Sequence, residues 1–109
     1  MYDEGRGVAQ SHSEALEWYR KAAEQGLPRA QYILGVMYSG GEGVAQNHVQ
    51  AYLWFDLCAS TAEGNLREAA VEMRDRVSEK MAPARIAEAQ RLAREWRLKI
   101  KELKAEIEM

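Results

Sequence analysis

The chain has 109 residues, 47% hydrophobic and 29% charged, a balance that belongs to a folded domain and excludes a disordered one. A formal net charge of −2 and a pI near 5.7 give no basic field, so neither nucleic acid nor a membrane surface is an expected partner. The single cysteine, Cys58, precludes an internal disulfide, and no apolar run is long enough to predict a transmembrane helix.

The opening MYDEGRG lacks the charged and apolar regions of a signal peptide, which makes the cytoplasm the default compartment. A longer parent with its own leader would change that. Asp3 to Val8 is predicted as a loop, since Gly5 and Gly7 allow tight turns that other residues resist. Ser11 and Glu14 then form an S-x-x-E capping box, which predicts a helix starting near His12. Ala15, Leu16, Trp18, Tyr19, Ala22 and Ala23 recur at helical spacing on its apolar face, and Gly26 stands where a left-handed residue ends a helix. Pro28 is predicted as the first residue of the next helix, where its missing N–H costs nothing. Ala30, Leu34 and Tyr38 form the inner stripe of that helix, Gly35 permits close approach of a neighbour, and Ser39-Gly40-Gly41 stops it.

Residues 37–55, MYSGGEGVAQNHVQAYLWF, restate residues 1–19, MYDEGRGVAQSHSEALEWY. Aligned without a gap at an offset of 36, residues 1–26 and 37–62 share Met, Tyr, two Gly, Val, Ala, Gln, His, Ala, Trp and Ala. A fixed period of this size marks a repeat array. Asn47 and Gln50 take the places of Ser11 and Glu14 as a second capping pair. The helix after them is predicted to bury Ala51, Tyr52, Trp54, Phe55, Cys58 and Ala59. Glu63-Gly64-Asn65 breaks the chain, and a further helix is predicted from Leu66 to Met81, with Leu66, Ala70, Met73 and Val77 inside. Pro83 opens a last helix of about 26 residues, roughly 39 Å long. No segment alternates with period 2, so the expected fold is all-α.

The elements LGVMY, G-x-GVAQ, A-x-x-W, AAEQG and a Pro-x-Ala opening resemble the Sel1-like repeat, a helix–turn–helix unit akin to tetratricopeptide repeats. The matching residues are Ala30, Leu34, Gly35, Tyr38, Gly41, Gly43, Val44, Ala51, Trp54 and Ala59. In the preceding unit they are Tyr2, Gly5, Gly7, Val8, Ala15, Trp18, Ala22, Ala23 and Gly26. The tail Met81–Trp96 is similar to the segment that closes such arrays in bacterial proteins. The first unit departs from the pattern in lacking its opening helix, and the paired cysteines of one family branch are missing. The resemblance implies a short right-handed αα superhelix, one and a half repeats over residues 1–64, then a closing helix and a long amphipathic helix over 65–109. It further implies a concave face, lined by first helices, that holds peptides or proteins.

Each residue that could carry chemistry has a plainer reading. Gly40-Gly41-Glu42-Gly43-Val44 lacks the strand and the GK[ST] ending of a phosphate loop, so it reads as a turn. His12 and His48 hold the same repeat position, too far apart in stacked repeats to share a metal ion. Trp18 and Trp54 read as packing between adjacent helices, and Cys58 as a small buried hydrophobe. No nucleophile–base motif is present, and no cofactor or metal is expected. Glu68, Glu72, Asp75 and Glu79 make an acidic stripe that reads first as a solvated face. Its sharper reading is one wall of a groove for a basic peptide, with Arg29, Tyr32 and Val36 as the other.

Ile86, Ala89, Ala93, Trp96, Ile100, Leu103 and Ile107 follow strict 3-4 spacing, a heptad seam along the last helix. Its first half is predicted to cap the repeats. Ile100, Leu103 and Ile107 are predicted to be exposed unless another chain buries them, a burial worth about 5 kcal/mol in total. The absent first helix should likewise bare Leu16 and Tyr19. These two apolar ends predict a homodimer, although Lys99 and Lys104 at flanking positions would repel in a simple parallel coiled coil. The expected function is therefore a protein–protein interaction module without catalysis. A remnant of a longer repeat protein is the alternative, and a hydrolase a distant third.

Overall fold

A computed structural model describes residues 4–41 and 45–108, with side chains described from Glu14 to Ile107 outside the 42–44 gap. Five helices follow one another, α1 (Glu4–Glu24), α2 (Pro28–Gly40), α3 (His48–Thr61), α4 (Gly64–Ser78) and α5 (Pro83–Glu108), and no strand occurs among the described residues. The fold is a short αα solenoid.

Local rules place most boundaries. Gly26 has φ +96° and its N–H donates to the Ala23 carbonyl, while the Leu27 N–H donates to that of Ala22, so a Schellman turn closes α1. Pro28 opens α2, and Gly41, at φ +74°, closes it by donating to the Met37 carbonyl. Asn47 caps α3 by accepting from the Gln50 N–H at 3.1 Å. The expected return bond from the Gln50 side chain is not made. Its Oε1 instead accepts from Trp54 Nε1 at 3.1 Å, one helical turn on.

Two helices differ from expectation in extent. The helix predicted from Leu66 to Met81 runs from Gly64 to Ser78, with Gly64 at its first position holding φ +62°, a left-handed value that favours glycine. More consequentially, α1 starts at Glu4 rather than near His12, so Gly5, Gly7 and the Ser11 cap position are helical. In the second copy the preceding helix holds the loop in place. Asn47 N–H donates to the Tyr38 carbonyl at 3.0 Å, and Gln46 Nε2 to that of Ser39 at 2.9 Å. The described part of the first copy contains no such helix, and helix continuation prevails over a cost of about 1 kcal/mol per glycine. Glu42, Gly43 and Val44 of the second loop, with Tyr2, lie outside the described residues, as do the side chains of Ser11 and His12.

Helix α3 is the hub. It packs on α2, α4 and α5, while α4 and α5 make little direct contact with each other. Along α3 the residues Leu53, Trp54, Phe55, Leu57 and Cys58 are all fully buried, so the helix is apolar on every side. Each such large side chain contributes about 1.5–3 kcal/mol. Gly35 lets α2 sit directly on this helix, since a Cβ there would lie 2.7 Å from the Phe55 ring. Helix α5 runs parallel to α3, as three contacts in rising order show. Gln90 Nε2 donates to Tyr52 Oη at 3.2 Å, the Trp96 and Trp54 rings stand 5.4 Å apart, and Arg97 reaches Asp56. Asp56 also accepts from Arg74 Nη1 at 2.9 Å, which ties α4 and α5 to the same point of the hub.

Candidate functional site

Three surfaces could receive a ligand. The first is a groove of about 420 Å³ between α1 and α2. The two helices are antiparallel, joined by Gln31 Nε2 donating to the Ala23 carbonyl and Arg20 to Tyr38 Oη. Ala15, Trp18, Tyr19 and Ala22 form one wall, and Leu27, Arg29 and Ile33 the other. Trp18 is 74% exposed and Leu27 55%. The packing role predicted for Trp18 is thus overturned. Trp54, its repeat equivalent, meets Trp96 of α5, whereas α1 packs chiefly on α2, and among the described residues no aromatic ring is stacked on Trp18.

The same geometry corrects the predicted open end. Leu16 and Tyr19 are half-buried against the main core, and it is Trp18 that stands bare. Of the tail residues predicted to be exposed, Ile107 is 82% exposed and Leu103 is also open, but Ile100 is only 8% exposed. Its side chain closes over the α1–α2 turn, where a Cβ added to Gly26 would lie 2.8 Å from Ile100 Cγ2. The first half of the seam packs as expected, with Ala89 and Ala93 fully buried.

The second surface is the open face of α4, where Glu68, Glu72, Asp75 and Glu79 line a shallow depression with Val71 and Arg76. The stripe is partly neutralised within the helix, because Arg76 pairs with Glu72 at 2.8 Å and Arg74 with Asp75 at 3.4 Å. Arg29, Tyr32 and Val36 do not line that depression. Arg29 lies on the α1–α2 groove, Tyr32 meets Phe55 edge-on at 5.5 Å, and Val36 lies half-buried on the core. The third surface, about 310 Å³, lies where the ends of α1 and α3 meet α5, around Gly26, Leu57, Thr61, Arg97 and Lys104. Gln31 also lines it, fully buried, with its Oε1 unpaired by protein groups.

Chemically reactive groups do not converge on these surfaces. Burial pushes the Cys58 thiol up to about 11, far from a nucleophile's range. Burial would lower the Arg74 guanidinium, yet the hydrogen bond and charge of Asp56 hold it above its usual value. Among the described residues no three His, Cys, Asp or Glu side chains gather as a metal-binding group. No described helix is long and apolar enough to cross a membrane.

Two features escaped the sequence reading. The all-round burial of α3 had a signal, the almost unbroken apolar run from Ala51 to Ala59. The bridging role of Asp56 had only its isolation as the one charge in that run.

An apolar hub helix with three helices packed on it, bearing grooves and no reactive cluster among the described residues, defines a helical-repeat scaffold. Comparison with family models matches the Sel1 repeat to residues 1–27 and again to 28–60, more than half of the chain. The chain belongs to the Sel1 repeat family, whose repeats generally mediate protein–protein interaction. Neither the curated proteins nor the solved structures compared with it gave a match.

Proposed function

We propose that this chain is a protein-binding module with no catalytic step, and that a second copy of itself is among its partners. One observation carries the proposal. Ala15, Trp18, Tyr19 and Ala22 of the groove correspond to Ala51, Trp54, Phe55 and Cys58, which are at most 2% exposed in the second copy. A surface built from core-type residues and left open fits an apolar segment of a protein. On this reading residues 1–64 present the binding surface and residues 65–109 close the solenoid. Arg29 belongs with the groove, while Glu68, Glu72 and Asp75 serve as a separate contact for a basic segment.

A photo-crosslinking side chain at position 18 or position 72 of the full chain, expressed at its native level, tests this. Covalent adducts with a protein from position 18 are the expected result. The absence of adducts from both positions would overturn the proposal.

A further inference from the structure

Among the described residues the exposed large apolar side chains are Trp18, Leu27, Leu98, Leu103 and Ile107. All belong to α1, the turn after it, or the second half of α5. Leu98 lies off the heptad seam, and the other four divide into a groove and a projection. Every side chain from Lys101 to Ile107 is exposed, so α5 ends in nearly two open turns, about 10 Å, and it overhangs the body beyond Lys104, whose side chain still reaches Gly26. The groove wall from Ala15 to Ala22 has the same length, also about 10 Å. Leu103 and Ile107, four residues apart, share one face of these open turns.

Charge gives the fit a direction. The tip of α5 carries Glu106 and Glu108. Lys21 adjoins Trp18, and Arg29 lies on the α2 wall near the α1–α2 turn, while Glu14 and Glu17 flank the far end. An acidic tip is therefore drawn to the turn end and repelled from the other. The tip does not fill its own groove, since α5 is continuous and Ile100 is held against Gly26 of the same chain.

We propose that the tip of α5 from a second copy docks in the α1–α2 groove, with Ile107 beside Trp18 and Leu27 and Glu106 facing Arg29. The exchange is reciprocal, so each copy gives one tip and receives one, a self-complementary arrangement that closes at two. It rests on the self-association reading above and specifies the surfaces that meet.

Sedimentation equilibrium of the full chain over a concentration series reads the assembly. Ile107→Glu and Trp18→Glu each weaken the dimer by about tenfold or more, the loss expected of a buried anchor. Both leave the unfolding midpoint of the dilute monomer unchanged, because both residues are exposed within one copy. Arg29→Glu and Glu106→Lys each weaken it several-fold, and the double variant recovers to within about twofold. In a Cys58→Ala background, chains with Ile107→Cys mixed with chains with Ala22→Cys form the mixed disulfide in preference to either homodimer. A wild-type chain that stays monomeric at high concentration overturns self-association and this proposal together. A dimer in which only two Ile107→Cys chains cross-link to each other overturns this proposal alone and leaves the self-association reading standing.

Discussion

Trp18 and Trp54 hold one repeat position 36 residues apart, yet the first is in solvent and the second is in the core. The residues around them differ little: each sits on a helix between a small residue three before it and an aromatic residue after it. What differs is the company. Helix α3 has α2, α4 and α5 packed on it, and α1 has chiefly α2. Position 20/56 shows the same divergence. Arg20 donates to Tyr38 Oη at 2.6 Å and serves one neighbour, while Asp56 accepts from Arg74 and Arg97 and serves two. A repeat residue is thus core or surface according to how many neighbours its helix has, and among the described residues the α1 face is a core-type face left open.

The sharpest way to break that comparison is to truncate both tryptophans. Trp54→Ala is expected to destabilise by about 3–5 kcal/mol, and Trp18→Ala to stay within about 0.5 kcal/mol when the chain is dilute, both by urea unfolding. Equal losses would mean that α1 is covered in the monomer. Next in size, Gly35→Ala drives a methyl group into the Phe55 ring and is expected to cost about 1–3 kcal/mol. Phe55→Leu on top of it should recover part of the loss, and failure of that rescue would place the cost in the backbone instead.

The ionisation of Cys58 comes third. Its folded value of about 11 lies above the ordinary 9.0, so the unfolded chain releases the thiol proton first as pH rises. The folded state is therefore at full strength below pH 9.0 and loses about 2–3 kcal/mol as pH climbs towards 11. Cys58→Ala, which places at 58 the residue found at 22, should remove that component of the alkaline loss. The same burial predicts that Ellman's reagent labels the native thiol only as fast as the chain opens. Smallest is Asp56→Asn, which removes the charge from two partly exposed ion pairs and is expected to cost about 1 kcal/mol. Thermal unfolding that loses α4 and α5 contacts together would confirm Asp56 as their shared tie.

Much of the fold can be read directly from residues. Pro28 and Pro83 open helices, Gly26 and Gly41 end them, and Asn47 caps α3, because each of these effects acts within a turn or two of backbone. The seam of α5 is equally legible as far as Ala93. The reading failed where it assumed that copies of a sequence have copies of an environment. It assigned Trp18 to the core, expected a loop at Gly5 and Gly7, and left Ile100 bare. For the candidate site it picked out Arg29 and Tyr19 of the groove but passed over Trp18 and Leu27, its exposed large apolar members.

The sequence by itself determined an all-helical repeat, its period and nearly every helix boundary, since helix formation and capping are short-range. Only the tertiary structure decided which of two identical tryptophans is buried, where α5 leaves the body, and which apolar face is open. Burial is a property of the neighbours that close around a residue, and along this chain those neighbours come from far away in sequence, as Trp54 and Trp96, 42 positions apart, show for the buried copy, while Trp18 stays exposed.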